Sequence, residues 1–537
     1  MKPGDHVAII APPMTEYILI SLACMAMRCV LVHVNENSSP DITRFIIEHS
    51  ESRVVFVSKR VGNGRALSLI KEILPSSQVR CIEEDLSLIE ESGIEGTWPE
   101  IPPRMEDLAI LMYTSGTTAK PKGVMLTHGN LVAGAYSLAS NIPESLLKSI
   151  SQWKYYNFLP LSHIYGLEIC FCFMRLGGVI GFFGGNRAEI LNEIRIFKPH
   201  LIACVPRVLQ KFYEGILSKL TSSSIALRGT FWVAYAHKKW AISNGYKSPV
   251  ADKIFQKVRD GFGGELQIVL NGGAPIQKHI AEFFEIVVVK HFWIGYGMTE
   301  TTASGLRTQP GDSFEQFAML TPFFNYEARI ASVPTMGYLV TDNPPRGELC
   351  IRGPGVSPGY YKDPEATAEA FDSDGFIHTG DVVIQDGYRV RLIDRIKNII
   401  KLAQGEYISS EAIESTLCQS LAIGCAFVHG DPTSPYPVAI IVPSADYFVK
   451  WASENGLSEI STNMSALCGN EKVRKHIEME IQRVSRAAGL KGYEFVSAFH
   501  LHENPFDEAR DLITSSMKLK RHVLRSYFKK ELQKLLI

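Results

Sequence analysis

Short apolar runs alternating with amphipathic stretches organise the first hundred residues. Residues 7–10, 30–34 and 54–57 are apolar runs of strand length, and 16–28 and 40–50 between them carry apolar positions at helical spacing. That alternation predicts an α/β layer with parallel strands. The rhythm resumes further on, with helices over 128–140 and 190–197 and strands over 157–161, 201–205 and 265–270, and an apolar stretch over 287–294 leads into the string at 295–300. From about residue 347 the pattern shortens: strands over 348–352, 382–385 and 390–393, separated by glycine turns, predict a small β-rich subdomain. Beyond it, a helix over 410–417, strands over 425–429 and 438–443 and helical spacing over 466–488 predict a smaller α+β unit. The expected division is a large domain over 1–393, a joint at 394–399 and a small C-terminal domain over 400–537.

Composition narrows the class. At 537 residues with 46% hydrophobic content, the chain can build at least two well-cored domains. Two apolar stretches, 17–34 and 167–185, approach the length of a membrane span. They contain Arg28, His33 and Arg175, so buried core elements are expected instead. A net charge of -1 gives no global attraction to nucleic acid. The ten cysteines form no Cys-x-x-Cys pair, which suits buried thiols in a reducing compartment. The start, Met-Lys-Pro-Gly-Asp, is not that of a signal peptide, and a cytoplasmic location is expected. At the other end Leu524, Phe528, Leu532 and Leu535 recur at helical spacing opposite Arg525, Lys529, Lys530 and Lys534. That face either packs on its own domain or attaches peripherally to an anionic membrane.

The chemistry centres on Tyr113-Thr-Ser-Gly-Thr-Thr-Ala-Lys-Pro-Lys-Gly-Val124, between two apolar runs. The hydroxyls of Thr114, Ser115, Thr117 and Thr118, the backbone at Gly116 and the charge of Lys122 suit a concave polyphosphate site. The string fails the Gly-x4-Gly-Lys-Ser/Thr spacing of a P-loop. Four further strings carry chemistry. Gly295-Tyr-Gly-Met-Thr-Glu300 offers a ring, a hydroxyl and a carboxylate, and Thr379-Gly-Asp381 a carboxylate on a tight turn suited to a diol. Asp394-Arg-Ile-Lys397 is a polar joint followed by a glycine-bearing loop, and Lys518 lies in a basic C-terminal string.

In this order the strings resemble the adenylate-forming superfamily of acyl-CoA synthetases, luciferases and peptide-synthetase adenylation domains. Leu159-Pro-Leu-Ser-His-Ile-Tyr165 and Lys401-Leu-Ala-Gln-Gly-Glu-Tyr407 place it nearest the long-chain fatty acyl-CoA synthetases. The resemblance implies ATP, Mg²⁺ and CoA: a carboxylate attacks the α-phosphate, pyrophosphate leaves, and the CoA thiol then displaces AMP. It implies a large domain of layered αβα sheets and a mobile C-terminal domain turning about Asp394 and Lys397. Tyr296 and Gly297, with Gly273, Ala274 and Pro275, would form the adenine site. Thr299 would meet the α-phosphate, Glu300 would hold Mg²⁺, and Asp381 and Arg395 would bind ribose. His163 would sit at the acyl mouth, Gly405 and Lys401 would meet CoA, and Lys518 would serve adenylation. Ala119 stands where the family has glycine, and Asn271 where serine is common. The front is short for the family, which would leave Ile18, Ile20 and Leu22 without their covering layer. An aryl-acid ligase, and a homologue that binds without turnover, are the alternatives.

Overall fold

The computed structural model describes residues 1–75, 78–85, 101–114, 121–312, 316–507, 510–514 and 518–536. The chain forms two compact units, each from two stretches: Met1–Arg329 with Cys350–His378, and Ile330–Leu349 with Thr379–Ile537.

The first unit is α/β. Strands β1 (His6–Ile10), β2 (Val30–His33), β3 (Val54–Val57), β4 (Val79–Cys81), β5 (Leu108–Thr114) and β6 (Lys122–Thr127) form one sheet. Its order is β4-β3-β1-β2-β5-β6, parallel except for the β5–β6 hairpin. Both faces are buried, as parallel sheets require. Val7, Ile9 and Leu31 point to one core, and Ala8, Ile10 and Val32 point to the other, where Ile46, Ile47 and Ile70 cover them.

A second sheet contains β7 (Lys154–Asn157), β8 (Val179–Phe182), β9 (Leu201–Cys204), β10 (Ile268–Asn271) and β11 (His291–Tyr296), all parallel. Two short antiparallel strands, β12 (Leu306–Arg307) and β13 (Thr321–Pro322), extend it beyond β11. The helix Ile164–Arg175 contributes Leu167, Ile169 and Phe173 to the core shared with Ile9, Ile110, Tyr155 and Leu201, so the layering is helix and sheet in alternation. Both apolar stretches of near-span length contribute mainly to the core, and among the described residues no helix is long and apolar enough to cross a membrane. All ten cysteines are free thiols.

The strand expected over 157–161 ends instead at Asn157. The buried Asn157 amide oxygen accepts from Tyr155 and from the Leu159 N–H, a local turn that competes with the ladder, and Pro160 comes next. Ile18 and Ile20 are buried after all, whereas Leu22 and its neighbour Leu19 are exposed. The short strands expected over 348–352, 382–385 and 390–393 are present as β15 (Arg346–Arg352), β16 (Ile377–Asp386) and β17 (Arg389–Arg395), and an unexpected strand, β14 (Glu327–Ala331), pairs with β15.

In the second unit β20 (Ile423–His429), β21 (Val438–Pro443) and β22 (Ala498–Leu501) form a three-stranded sheet, preceded by the small ribbon β18 (Ile399–Lys401) and β19 (Tyr407–Ser409). Ala426, Val428, Ala439 and Ile441 face Ile413, Phe448 and Ile477, while Phe427, Val438 and Ile440 face Phe506, Leu524, Phe528 and Leu532. The apolar face of the last helices is thus buried on its own domain, which removes it as a membrane-binding surface. By contacts, the hairpin β16–β17 belongs with the C-terminal segment, so this division falls earlier than residue 393. Asp394, buried at the end of β17, accepts from Ser409, Asn398 and the Glu411 N–H, tying the hairpin to the ribbon β18–β19 and to the helix Ser410–Leu417.

Candidate active site

The β5–β6 hairpin sets Tyr113 opposite Gly123 and Thr114 opposite Lys122. Ser115, Gly116, Thr117 and Thr118 lie outside the described residues. The hairpin base is rigid: a Cβ on Gly123 would stand 3.2 Å from the Tyr113 ring, and the Tyr113 hydroxyl is 2.8 Å from His49 Nδ1. The Lys122 ammonium lies over the Tyr360 ring, 5.1 Å from its centroid. The Tyr360 hydroxyl donates to Glu300 Oε1 at 2.8 Å. Burial, with Glu300 alongside, keeps that phenol above its ordinary pKa and therefore a donor. The Tyr361 N–H donates to the Gly123 carbonyl and the Met125 N–H to the Gly359 carbonyl, so the strand edge itself positions Tyr360. The result is a cation, a neutral donor and a buried carboxylate in sequence. The sequence reading missed Tyr360, although the closely spaced glycines 355 and 359 before a Tyr-Tyr pair were a signal of a fixed turn.

The adjacent parallel strands β10 and β11 end at one edge of their sheet, with Asn271 level with Ile294. The C-terminal edge of a parallel sheet is where such folds bind ligands. Gly273 has φ +82°, open to glycine without strain, and Ala274 and Pro275 come after it. Gly272 is closed against Tyr165, whose ring would stand 2.9 Å from a Cβ there. His163, half-buried, stands at the N-cap position of the helix Ile164–Arg175 without a side-chain capping bond. Tyr296, Gly297 and Thr299 are half-buried at the end of β11. A Cβ on Gly297 would stand 2.4 Å from the Ala303 carbonyl carbon, so only glycine lets the chain double back here.

The turn that carries Glu300 is strained and braced. Thr302 and Ala303 have φ of 53° and 57°, unusual for residues with a Cβ. The Thr302 hydroxyl donates to the Gly355 carbonyl at 2.7 Å, and the Ser357 N–H to the Glu300 carbonyl at 2.7 Å. Behind the turn lies Glu168, fully buried, neither of whose carboxyl oxygens has a hydrogen-bond partner of good geometry. Burial pushes its pKa well above the usual carboxylate range, with the Ala135 N–H opposing. Glu168 and the Thr302 carbonyl both crowd Gly134: a Cβ there would stand 2.6 and 2.9 Å from them. A lone acid inside the apolar run 164–173 was the available signal for Glu168.

The second unit groups three other candidates. Asp381, buried, sits opposite Arg395 in the β16–β17 register and accepts from its Nε at 3.0 Å. The Lys518 N–H donates to the Thr514 hydroxyl at 3.0 Å. Surrounding protein, and then Arg395, lower the Lys518 pKa, while Glu411 and Asp381 oppose. The residue remains exposed, so this is crowding around the ammonium and not a sealed interior. Lys520, two residues on, is tied to Asp511. Gly405 has φ +87° in the turn between β18 and β19, and a Cβ there would meet nothing within 4 Å. The backbone conformation requires glycine there, whatever passes over it. Lys401 lies 5.6 Å over the Tyr407 ring. Lys397 is exposed on a single 3-10 turn after Arg395.

The family described as "AMP-binding enzyme" matches residues 1–361. Long chain acyl-CoA synthetase 7, peroxisomal, of Arabidopsis thaliana is 34% identical over 100% of this chain and 78% of its own length. The chain belongs to the adenylate-forming acyl-CoA ligases. Members of this family use an acid, ATP and CoA. A long-chain-fatty-acid–CoA ligase of Cavia porcellus is 31% identical over 99% of the chain and 78% of its own length. The fold matches the adenylation domain of a carboxylate reductase from Mycobacterium chelonae, with a TM-score of 0.78, 24% identity and coverage of 100% and 81%. It also matches o-succinylbenzoate CoA synthetase of Bacillus subtilis in complex with ATP and magnesium ion, with a TM-score of 0.68, 22% identity and coverage of 97% and 89%.

Proposed function

We propose that this adenylate-forming ligase is a long-chain fatty acid–CoA ligase. The observation that carries the reading is the row Lys122–Tyr360–Glu300 beside the hairpin, a cation and an acid held at fixed separation. The relatives named long-chain acyl-CoA synthetase and long-chain-fatty-acid–CoA ligase support the long-chain acid as substrate. A fatty carboxylate oxygen attacks the α-phosphorus of ATP and the bond to pyrophosphate breaks. The CoA thiol then attacks the acyl carbonyl, losing its proton, and AMP leaves. Lys122 and the hairpin hydroxyls would bind the outgoing phosphates, and Thr299 the α-phosphate. Tyr296 and Gly297, with Gly273, Ala274 and Pro275, would hold adenine, Asp381 and Arg395 the ribose, and His163 the acyl entrance. Lys518 would place a cation at the developing charge. Lys401 and the turn at Gly405 would meet CoA, and Asp394 and Lys397 would flank the pivot between the two half-reactions.

Glu300 is an oxygen donor of the hard kind that Mg²⁺ takes, and the Tyr360 hydroxyl fixes its orientation, so the residues present fit that ion. Bound there, Mg²⁺ would neutralise phosphate charge. The test is a panel of acids from short to very long, with aryl acids included, read by acid-dependent ATP–pyrophosphate exchange and by CoA ester formation. Highest kcat/KM on long-chain acids supports the reading. Preference for aryl acids replaces it with the aryl-acid ligase, and no exchange with any acid removes the ligase.

A further inference from the structure

The helix Ile225–Ser243 turns an apolar face to solvent instead of to the core. Ile225 is 80% exposed, Val233 71%, Trp240 57% and Trp232 45%, and with Gly229 and Ala236 they lie three and four residues apart along one side. Tyr246 and Val250, just beyond, continue the surface, Tyr246 stacking on Trp240 at 5.7 Å. Its opposite side is anchored through Phe231, Ala234, Lys238 and Ala241, so the helix belongs to the fold and its outer face is the unpartnered one.

The charge around this face has one sign. From residue 215 to 251 the chain holds Lys219, Arg228, Lys238, Lys239 and Lys247 and no acid. Of the acids on the elements packed against it, Asp252 is paired with Lys238 and Arg259 and Glu282 with Lys239, Glu214 accepts from Gln210 at 2.9 Å, and burial pushes the Glu285 pKa up to about 7. Lys219, Arg228, Lys247, Lys253 and Lys257 have no ion pair among the described residues. A two-fold pairing of this face with a second copy would set these cations against one another. Tryptophan and tyrosine bordered by lysines, with no carboxylate on the helix itself, match the boundary between headgroups and acyl chains.

We propose that the helix Ile225–Ser243 is a membrane-docking face, which lies in the surface of an anionic bilayer with Ile225, Val233 and Trp240 entering the acyl boundary. The lysines keep their charge at the headgroups while their stems run along the apolar surface. This inference does not depend on which acid the enzyme activates.

The test is co-sedimentation of the full chain with vesicles of phosphatidylcholine alone and of phosphatidylcholine with phosphatidylserine. Binding is expected to the phosphatidylserine vesicles only, weakening as salt rises. Ile225→Ser/Val233→Ser/Trp240→Ser should partition at least roughly tenfold more weakly with the melting temperature unchanged. Val233→Glu, a single exposed change, should weaken binding in the same direction. Lys529→Glu/Lys530→Glu, on the C-terminal helices, should bind as the unaltered protein does. The proposal fails if no phosphatidylserine-dependent binding is seen or if the surface variants bind normally. It also fails if the C-terminal variant alone loses binding, or if the unaltered chain is a dimer that the triple variant dissociates.

Discussion

Tyr360→Phe removes one oxygen atom and tests whether Glu300 is positioned by its neighbour. The hydroxyl of the half-buried Tyr360 donates to Oε1 of the buried Glu300 at 2.8 Å. A hydrogen bond to a charged group contributes about 1.5–3 kcal/mol, and at about 1.4 kcal/mol per tenfold the expected loss is roughly 10- to 150-fold. The ring stays, so Lys122 keeps its contact at 5.1 Å. Tyr360→Leu removes both and should lose about a further 0.5–1 kcal/mol. The assay is acid-dependent ATP–pyrophosphate exchange over a series of Mg²⁺ concentrations, with melting temperature as the control for folding. Combined with Glu300→Gln, the phenylalanine change should cost little more, because both act on one carboxylate. Full exchange by Tyr360→Phe at every Mg²⁺ concentration would refute the reasoning.

Three other outcomes are expected. Lys518→Ala should lower exchange by about 10²–10³, yet largely spare conversion of supplied acyl-adenylate to thioester, whereas Lys520→Ala, tied to Asp511, should affect neither step much. Exchange intact in the first and abolished in the second would move the role to Lys520. Glu168 holds its proton more tightly folded than unfolded, so its contribution to stability falls as pH rises from the ordinary carboxylate range through its raised folded value. Glu168→Gln should flatten that decline in a series of melting temperatures against pH, and an unchanged slope would count against the assignment. Gly134→Ala forces a methyl to within 2.6 Å of Glu168 and 2.9 Å of the Thr302 carbonyl, and should cost about 1–3 kcal/mol in denaturant unfolding.

Where burial alternates with a clear period, the sequence was legible. The helix over 190–197 and the strands over 54–57 and 438–443 fall where the apolar spacing puts them, and β1 and β2 differ from expectation by a residue at an end. What failed was local or tertiary. Asn157 ended a strand through its own side chain, which no apolar count registers. The segment 206–260 went unread, and its helices were the ones that carry the exposed apolar face, since Trp232, Val233 and Trp240 look in sequence like core. The candidate site was legible where a motif fixes spacing, as with Asp381 and Arg395, which the ladder sets opposite each other. Tyr360 was not, because its partner Glu300 lies 60 residues away and only folding brings them together. The amphipathic C-terminal helices were read correctly as to pattern, but a pattern does not say what covers the face. Phe427, Val438 and Phe506 do.

Each unit draws on two separated lengths of chain, and this bears on how the protein is made. A ribosome delivers residues 330–349 before the stretch 350–378 that the first unit needs, and the second unit's remaining strands come later still. The first unit can close once residue 378 has emerged. The second must wait for Leu524, Phe528 and Leu532, which seal one face of its sheet and lie far down the chain from β20 and β21. Until then Phe427, Val438 and Ile440 stand uncovered, a span of exposure during which a nascent chain is vulnerable to aggregation. Truncation ahead of Leu524 would therefore remove part of a core.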